Sequence, residues 1–153
     1  MAYEFTCDRL VEFADTDAAG IAHFSSLFRF MENAEHAFFR SLGLSITLES
    51  GGKTYSFPRV HAEADFHGPL RFEDTARTHL IVREVRPHSL VFDYALHRVR
   101  EGNNDFIARG TMTNACVTLH HGQMRSAPIP PQILEKIQPA PPAALERFHA
   151  SHA

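Results

Sequence analysis

The sequence contains only two cysteines, Cys7 and Cys116, in 153 residues. Two thiols this far apart are too few for a disulfide framework or a thiolate metal site, so we expect both to pack as small apolar side chains. No apolar stretch approaches the roughly 20 residues of a membrane helix, and the first residues lack the basic and apolar segments of a signal peptide. These absences predict a soluble, cytoplasmic protein with no membrane partner.

An excess of positive charge is also lacking, because 15 Lys and Arg stand against 18 Asp and Glu. Nucleic acids and anionic membrane surfaces are held by basic fields, so neither is an expected partner, and any phosphate-bearing ligand must be met by local cations. The 11 histidines are scattered, and no His-x-x-x-His pair lies beside a third ligand. We therefore expect no metal and no other cofactor.

The sequence does have enough apolar material for one core, since 44% of its residues are hydrophobic and 13 are phenylalanine. A chain of this length is about one domain long. We assign residues 1–138 to that domain. Residues 139–153 are rich in proline and are expected to form a flexible C-terminal tail.

The hydrophobic pattern predicts a strand, one long helix and then four more strands. Residues 3–13 alternate between apolar and polar side chains, as a half-buried strand does. Ser25 and Ser26 are candidate N-caps of a helix that runs to Leu42 and stops at Gly43. After a loop containing Gly51 and Gly52, the expected strands are residues 57–67, 75–85, 89–100 and 106–119. This order predicts an α+β fold, with the helix against one face of an antiparallel sheet whose open edges favour an oligomer.

The densest functional candidate is the acidic turn, residues 15–20, which reads Asp-Thr-Asp-Ala-Ala-Gly. A calcium loop is excluded, because Ala19 and Ser26 occupy positions where oxygen ligands are required. As a structural turn, Asp15 and Asp17 would accept hydrogen bonds from nearby amides. As a functional site, a carboxylate at a strand–helix junction would lie beside free helix amides that stabilise an anion on a substrate carbonyl.

The flanking residues add a family resemblance to the acidic turn. Residues 11–24 resemble the signature of the 4-hydroxybenzoyl-CoA thioesterase family, whose members carry an Asp-x-Asp-x-x-Gly turn between their first strand and central helix. The similarity continues through residues 27–32, 66–74 and 86–90. It spans roughly residues 3–137 and has the same element order that the periodicity predicts.

The resemblance implies a hotdog fold, in which an antiparallel five-stranded sheet wraps around one long central helix. It implies metal-free hydrolysis of an acyl-CoA by a homodimer or homotetramer, with Asp17 as nucleophile or general base. The thioester carbonyl would meet a backbone amide in the region of His23 and Phe24, and Gly20 matches the family glycine. The nucleotide phosphates of CoA would lie at Arg86, His88 and Ser89.

The sequence departs from the family pattern at two places. Phe24 stands where Tyr or His is common, and Ser26 where Asn is common, which leaves the acyl group undefined. Pro87 and His88 replace basic residues, so Arg86 is the only permanent cation of the phosphate segment. The departures near the helix start keep open an alternative, a non-catalytic acyl-CoA or acyl-carrier binding protein, whereas a hydratase would need an Asp–His motif that is absent.

Other polar residues could line the pocket. Glu32, Glu35 and His36 lie on the predicted helix, where Glu32 and His36 are one turn apart and are expected to pair with each other or with the rim of the sheet. His61 and Glu63 share the polar face of a predicted strand. Alternation alone explains the strand pair, so we leave it outside the catalytic set.

Overall fold

The computed structural model describes residues 1–153 as nine strands, three α-helices and a short 3-10 helix, Phe13–Asp15. The strands are β1 (Glu4–Leu10), β2 (Thr47–Ser50), β3 (Lys53–Ser56), β4 (Arg59–Phe66), β5 (Thr75–Arg86), β6 (Ser89–Arg98), β7 (Asp105–Ala115), β8 (Val117–His120) and β9 (Gln123–Ser126). The helices are α1 (Phe24–Ser41), α2 (Pro131–Leu134) and α3 (Pro142–Ser151). None of these helices has the length and hydropathy needed to cross a bilayer.

The strands form two antiparallel sheets rather than the single sheet that the sequence predicts. One sheet has five strands in the order β1-β5-β6-β7-β4, and these correspond to the five predicted strands. The other has four short strands in the order β2-β3-β8-β9. The α+β class with an antiparallel sheet is therefore confirmed, and the second sheet is an addition to the prediction.

Helix α1 lies against one face of the five-stranded sheet and supplies the centre of the core. Helical spacing in the sequence predicts a core stripe of Leu27, Phe30, Met31, Ala34, Phe38 and Leu42. The first five are buried together with Phe39, whereas Leu42 is only half-buried. Gly43, with φ +67°, follows the helix and adopts the left-handed conformation that glycine accepts without strain. The N-cap is His23, not Ser25 or Ser26. Ser26 cannot cap because it lies within the first turn, where its hydroxyl bonds the carbonyl of Asp15.

Two predicted strands have different bounds in the structure. Strand β1 ends at Leu10 instead of residue 13, because Glu12 and Asp15 form a reciprocal capping box around the 3-10 helix. The strand predicted over residues 106–119 divides at Cys116, whose N–H donates to the carbonyl of His88. Local alternation does not reveal either interruption, since both depend on hydrogen bonds outside the ladder.

Strand β4 lies at the edge of the five-stranded sheet, and its predicted apolar face is largely exposed. Val60 is 64% exposed and Phe66 is 49% exposed in the single chain. The alternation of the sequence predicts the strand correctly, but its apolar side chains are covered only in part, since Phe66 touches Phe28 of α1 and Ala64 is half-buried whereas Val60 is not. The edge therefore presents both unpaired backbone groups and apolar surface to solvent.

Two hairpins were not predicted from the sequence. The segment around Gly51 and Gly52, expected to be a loop, is the turn between β2 and β3, and both glycines have positive φ. Strands β8 and β9 pair across His121 and Gly122, where the sequence predicts only a turn. Each of these strands has four residues, which is too short for alternation to distinguish a strand from a loop.

The C-terminal segment is a helix rather than the expected flexible tail. Pro141 is the N-cap of α3 and Pro142 its first residue, a position where the missing proline N–H costs nothing. Ala144 and Phe148 are buried in a small apolar cluster with Ile81 and Ala95 of the sheet. The prediction was wrong here because proline was interpreted only as a helix breaker.

Candidate active site

The acidic turn folds back on itself between the 3-10 helix and α1. Thr16 and Ala22 form an antiparallel bridge, and the N–H of Asp17 donates to the carbonyl of Ile21 at 2.9 Å. The N–H of Gly20 in turn donates to the carbonyl of Asp17 at 3.0 Å. Gly20 has φ +75°, so a side chain at this position would strain the turn even though the space around it is open.

Asp15 is the structural member of the acidic pair. Its side chain is almost fully buried, and its Oδ2 accepts a hydrogen bond from the N–H of Glu12 at 2.9 Å. Its Oδ1 lies 3.2 Å from the guanidinium of Arg29 on α1. Its main-chain carbonyl accepts from the N–H of His23 and from the hydroxyl of Ser26, both at 2.8 Å. Asp15 therefore joins the turn to the first residues of α1.

Asp17 is held differently. Its Oδ1 accepts a hydrogen bond from the N–H of Ala19 at 2.8 Å, and its Oδ2 has no partner within the protein. The side chain is only partly buried. One oxygen thus orients the carboxylate while the other remains available, which combines the structural and functional interpretations of the turn in one residue.

The start of α1 leaves one amide free next to this turn. The N–H of His23 is occupied by the carbonyl of Asp15, and the N–H of Ser25 donates to Nδ1 of His23 at 3.3 Å. Phe24 lies between them, and its N–H donates to no acceptor in the protein. Of the two residues that the family resemblance indicates, Phe24 therefore carries the available hydrogen-bond donor.

Several phenylalanine side chains lie on α1 and on the segments that flank the acidic turn. Phe24 is 59% exposed, and Phe28, one helical turn later, packs edge-to-face against Phe66 of β4 at a centroid distance of 6.3 Å. On the other side of the turn, Phe13 and Phe72 form a second exposed edge-to-face pair at 6.0 Å. Exposed phenylalanines at this density favour an apolar ligand or partner at the site.

The predicted phosphate segment lies at the opposite end of the sheet. Arg86 ends β5, and Ser89 begins β6, whereas Leu10, just before the acidic turn, pairs with Thr75 at the start of β5. At about 3.3 Å per residue, the 12 residues of β5 separate the two regions by roughly 36 Å. A single chain therefore does not bring its own Arg86, His88 and Ser89 to its own Asp17.

The guanidinium of Arg86 and the imidazole of His88 already have partners within the protein. Nε of Arg86 lies 2.7 Å from the carboxylate of Glu84, and His88 is hydrogen-bonded through Nδ1 to the hydroxyl of Ser126 at 2.8 Å. The Glu84 pair lowers the pKa of that carboxyl below its usual range. Both partners are exposed, so a phosphate group can compete for the guanidinium.

Glu35 was recognised in the sequence as a polar residue of the helix, but the buried cluster that forms around it was missed. Glu35 of α1 is fully buried and accepts hydrogen bonds from the Tyr94 hydroxyl at 3.1 Å, the Asn114 amide at 2.6 Å and the Arg59 guanidinium at 3.0 Å. Burial raises the pKa of Glu35, and the three donors oppose that shift. The only signal for this cluster in the sequence is that Tyr94 and Asn114 are polar residues at inward positions of otherwise apolar strands.

The other candidate pocket residues have ordinary partners. Of the two partners expected for Glu32, the structure has the one on the sheet rim, because Glu32 pairs with Arg59 of the edge strand β4 at 3.0 Å and not with His36. His61 and Glu63 lie 3.4 Å apart on β4, and both are more than half exposed. No group of three or more His, Cys, Asp or Glu side chains comes close enough together to hold a metal ion.

Comparison with known proteins identifies relatives over most of the chain. The profile of the Thioesterase-like superfamily matches residues 11–137. A 1,4-dihydroxy-2-naphthoyl-CoA hydrolase of Thermosynechococcus vestitus is 30% identical over 139 residues, covering 91% of this chain and 92% of that protein. A second hydrolase of the same name, from Synechocystis, is 27% identical over 126 residues, or 82% of this chain and 88% of that protein.

Solved structures show the same fold. The 4-hydroxybenzoyl CoA thioesterase of Pseudomonas sp. strain CBS-3 superposes with a TM-score of 0.75 at 21% identity, over 88% of this chain and 99% of that one. The family match begins at the residue before Glu12 and ends after α2, so it includes the acidic turn, α1 and the five-stranded sheet from β4 onward. Helix α3 lies beyond it.

Proposed function

The chain belongs to the Thioesterase-like superfamily, and we propose that it hydrolyses the thioester of an aromatic acyl-CoA with Asp17 as the catalytic carboxylate. Acyl-CoA thioester hydrolysis is the reaction of its named relatives, and this protein is a thioester hydrolase of that kind. The observation that supports the residue assignment is the free Oδ2 of Asp17 at the same strand–helix junction as the free N–H of Phe24.

Two routes use these groups, and both yield the free acid and CoA. In one, Asp17 attacks the carbonyl carbon, the C–S bond breaks to release the CoA thiolate, and water hydrolyses the resulting mixed anhydride. In the other, Asp17 removes a proton from a water molecule that attacks the same carbon. In either route the Phe24 N–H donates to the carbonyl oxygen as it gains negative charge, at the positive end of α1.

The aromatic acyl class is supported by the surroundings of the junction. Phe24 at the helix start and Phe66 on the edge strand β4 are exposed, and the half-buried Phe28, one helical turn after Phe24, contacts Phe66. A flat aromatic acyl group can stack on such side chains and bury apolar area. The relatives named above act on 1,4-dihydroxy-2-naphthoyl and 4-hydroxybenzoyl thioesters, which are hydroxylated aromatic acyl groups.

A second copy of the chain is part of the proposal. The exposed edge of β4 and its apolar side chains would be covered by a homodimer, and dimers would assemble into a homotetramer of hotdog subunits. Because the length of β5, roughly 36 Å, lies between the end of the sheet next to the acidic turn and the end with Arg86, His88 and Ser89, these phosphate contacts would come from another subunit. Light scattering of the purified protein, which gives the absolute mass, tests this assembly, and a monomer would contradict it.

Thiol release from a panel of CoA esters tests the function. We expect 4-hydroxybenzoyl-CoA and 1,4-dihydroxy-2-naphthoyl-CoA to turn over faster than acetyl-CoA or palmitoyl-CoA. Asp17→Asn should lower kcat by at least about a hundredfold, the scale of losing a catalytic proton acceptor or nucleophile. Asp8→Asn is the matched control, because Asp8 is exposed and pairs with Arg77 on the surface.

The alternative is a binding protein without turnover, which the Phe24 and Ser26 departures favour. It predicts calorimetric binding of acyl-CoA without thiol release from any ester of the panel. Full activity of Asp17→Asn, by contrast, would be consistent with a thioesterase but would show that Asp17 is not its catalytic carboxylate. Asp15→Asn should act mainly on stability, because Asp15 is buried among hydrogen bonds that join the turn to α1.

A further inference from the structure

The side chain of His23 caps the helix that carries the free amide. Its Nδ1 accepts a hydrogen bond from the N–H of Ser25 at 3.3 Å and lies 2.8 Å from the hydroxyl of the same residue. Both contacts use the Nδ1 lone pair, so the ring proton belongs on Nε2. Imidazole is not among the side chains that commonly cap helices, which are Ser, Thr, Asp and Asn. The cap therefore cannot be read from standard capping preferences.

The main chain and the side chain of His23 each make a hydrogen bond, and together these bonds fix the peptide that carries the Phe24 N–H. On the main chain, the N–H of His23 is held by the carbonyl of Asp15 at 2.8 Å. On the side chain, Nδ1 holds Ser25, the residue after Phe24. Phe24 is thus enclosed between two hydrogen bonds, and its own N–H is the one amide of the three that remains free. The imidazole also packs against the Phe24 ring at a centroid distance of 4.5 Å.

We propose that His23 is a positioning residue of the thioester site, whose imidazole caps α1 and so aims the Phe24 N–H at the substrate carbonyl. This inference rests on the proposed function, since it assigns a role within the same site. The ring acts through the backbone of Phe24 and needs no contact with the substrate. Its contribution is preorganisation, because an amide that is already fixed stabilises the developing charge without reordering.

Two substitutions at this position separate capping from other roles. His23→Phe keeps an aromatic ring against Phe24 but removes the acceptor, whereas His23→Asn restores an acceptor oxygen at a preferred capping position. With 4-hydroxybenzoyl-CoA, we expect His23→Phe to lower kcat about tenfold, less than the ~100-fold or greater loss on deleting an oxyanion donor. KM should change less than about twofold, since the amide acts mainly in the transition state.

His23→Asn should recover kcat to within about threefold of the wild type, because the cap is rebuilt. Equal losses in the two variants would overturn the proposal, since the imidazole itself would then be required. Full kcat in His23→Phe would overturn it too, since no cap would be needed. His120→Phe, a change at an exposed histidine of β8, controls for placing a phenylalanine on the surface.

A measurement without turnover tests the cap directly. In ¹⁵N NMR spectra, we expect the His23 ring to report the Nε2–H tautomer and the Ser25 amide to exchange slowly with solvent. Slow exchange should be lost in His23→Phe and retained in His23→Asn. A rapidly exchanging Ser25 amide in the wild type would overturn the inference. Absence of thiol release from every ester, with the NMR result intact, would instead count against the proposed function alone.

Discussion

The two faces of the five-stranded sheet are covered by helices that differ in length and in the size of the apolar cluster to which they belong. On the inner face, the 18-residue α1 takes part in an apolar cluster of 24 buried residues. On the outer face, the ten-residue α3 contributes to a cluster of only five. Since apolar burial is the main source of folding free energy, the inner face carries most of the stability of the molecule.

The polar groups on the two faces also differ. The inner face contains one buried carboxylate, Glu35, and three neighbouring side chains donate hydrogen bonds to it. Several imidazoles lie close together on the outer face. The ring centroid of His152 is 5.0 Å from that of His97 and 5.8 Å from that of His79. A cavity of about 350 Å³ remains along the edge of α3. The inner face is therefore stabilised mainly by buried apolar side chains. The outer face is stabilised by fewer contacts, and some of these involve histidines that can gain a proton.

Breaking the inner cluster should have the largest effect. Glu35→Ala removes the acceptor of three donors, leaves Tyr94 and Asn114 without this partner in the interior, and leaves Arg59 with only its pair to Glu32. Breaking a buried ion pair from one side costs about 3–5 kcal/mol of the free energy of unfolding, which urea titration would measure. Glu32→Ala is the control, since its pair with the same arginine is partly exposed and should cost less than about 1 kcal/mol.

On the outer face, Phe148→Ala should have a smaller effect. Phe148 is the main apolar side chain with which α3 contacts the sheet. Truncation of a buried phenylalanine costs about 3–5 kcal/mol, and we expect the lower end because α3 can detach while the inner core remains folded. Hydrogen exchange should then increase in α3 and the exposed part of β5, whereas increased exchange in α1 would contradict the separation of the two faces.

Acidification should lower the free energy of unfolding through the histidines of the outer face, by less than the Phe148 substitution does. Burial lowers the pKa of His97 and of His152, and nearby histidines reinforce the shift. Both rings therefore stay neutral in the folded protein while the unfolded chain takes up protons. Stability is complete above the ordinary histidine pKa of about 6.5 and declines as the pH falls below it.

The inner face should respond to pH with the opposite sign. Burial raises the pKa of Glu35, so the folded protein binds this proton at a higher pH than the unfolded chain does, and acidification through that range adds stability. Unfolding of wild type, Glu35→Gln and the double variant His97→Asn/His152→Asn between pH 5 and 7.5 separates the two terms. A double variant that loses as much stability on acidification as the wild type would refute the assignment to these histidines.

The smallest effect is expected for His149→Ala. Nε2 of His149 lies 2.9 Å from the Asp93 carboxylate, but the imidazole is more than half exposed. Asp93 would keep its contacts with Arg83 at 3.2 Å and with the hydroxyl of Thr111 at 2.7 Å. We expect a change below about 1 kcal/mol in the free energy of unfolding. A larger loss would show that α3 depends on this pair more than on Phe148.

The inner face was more predictable than the outer one. Helical spacing from Leu27 to Phe38 and alternation along the five long strands identify the elements that pack together, because these periodicities reflect burial on one side. The short strands of the second sheet and the proline-led helix α3 carry no such signal. Glu35 was recognised as a polar residue on the helix, but its partners Tyr94 and Asn114 come from strands far away in the sequence.

The sequence alone determined the family, the acidic turn, the core stripe of α1 and the order of its main elements. These follow from local patterns, since turn chemistry and periodicity depend on neighbours along the chain. The tertiary structure decided which groups at the site are free. His23 and Phe24 are adjacent in the sequence, yet only the fold shows that Asp15 occupies the first amide and leaves the second available. Asp15 lies only eight residues before His23, but the hydrogen bond between them depends on how the acidic turn folds back onto α1, which no periodic pattern records.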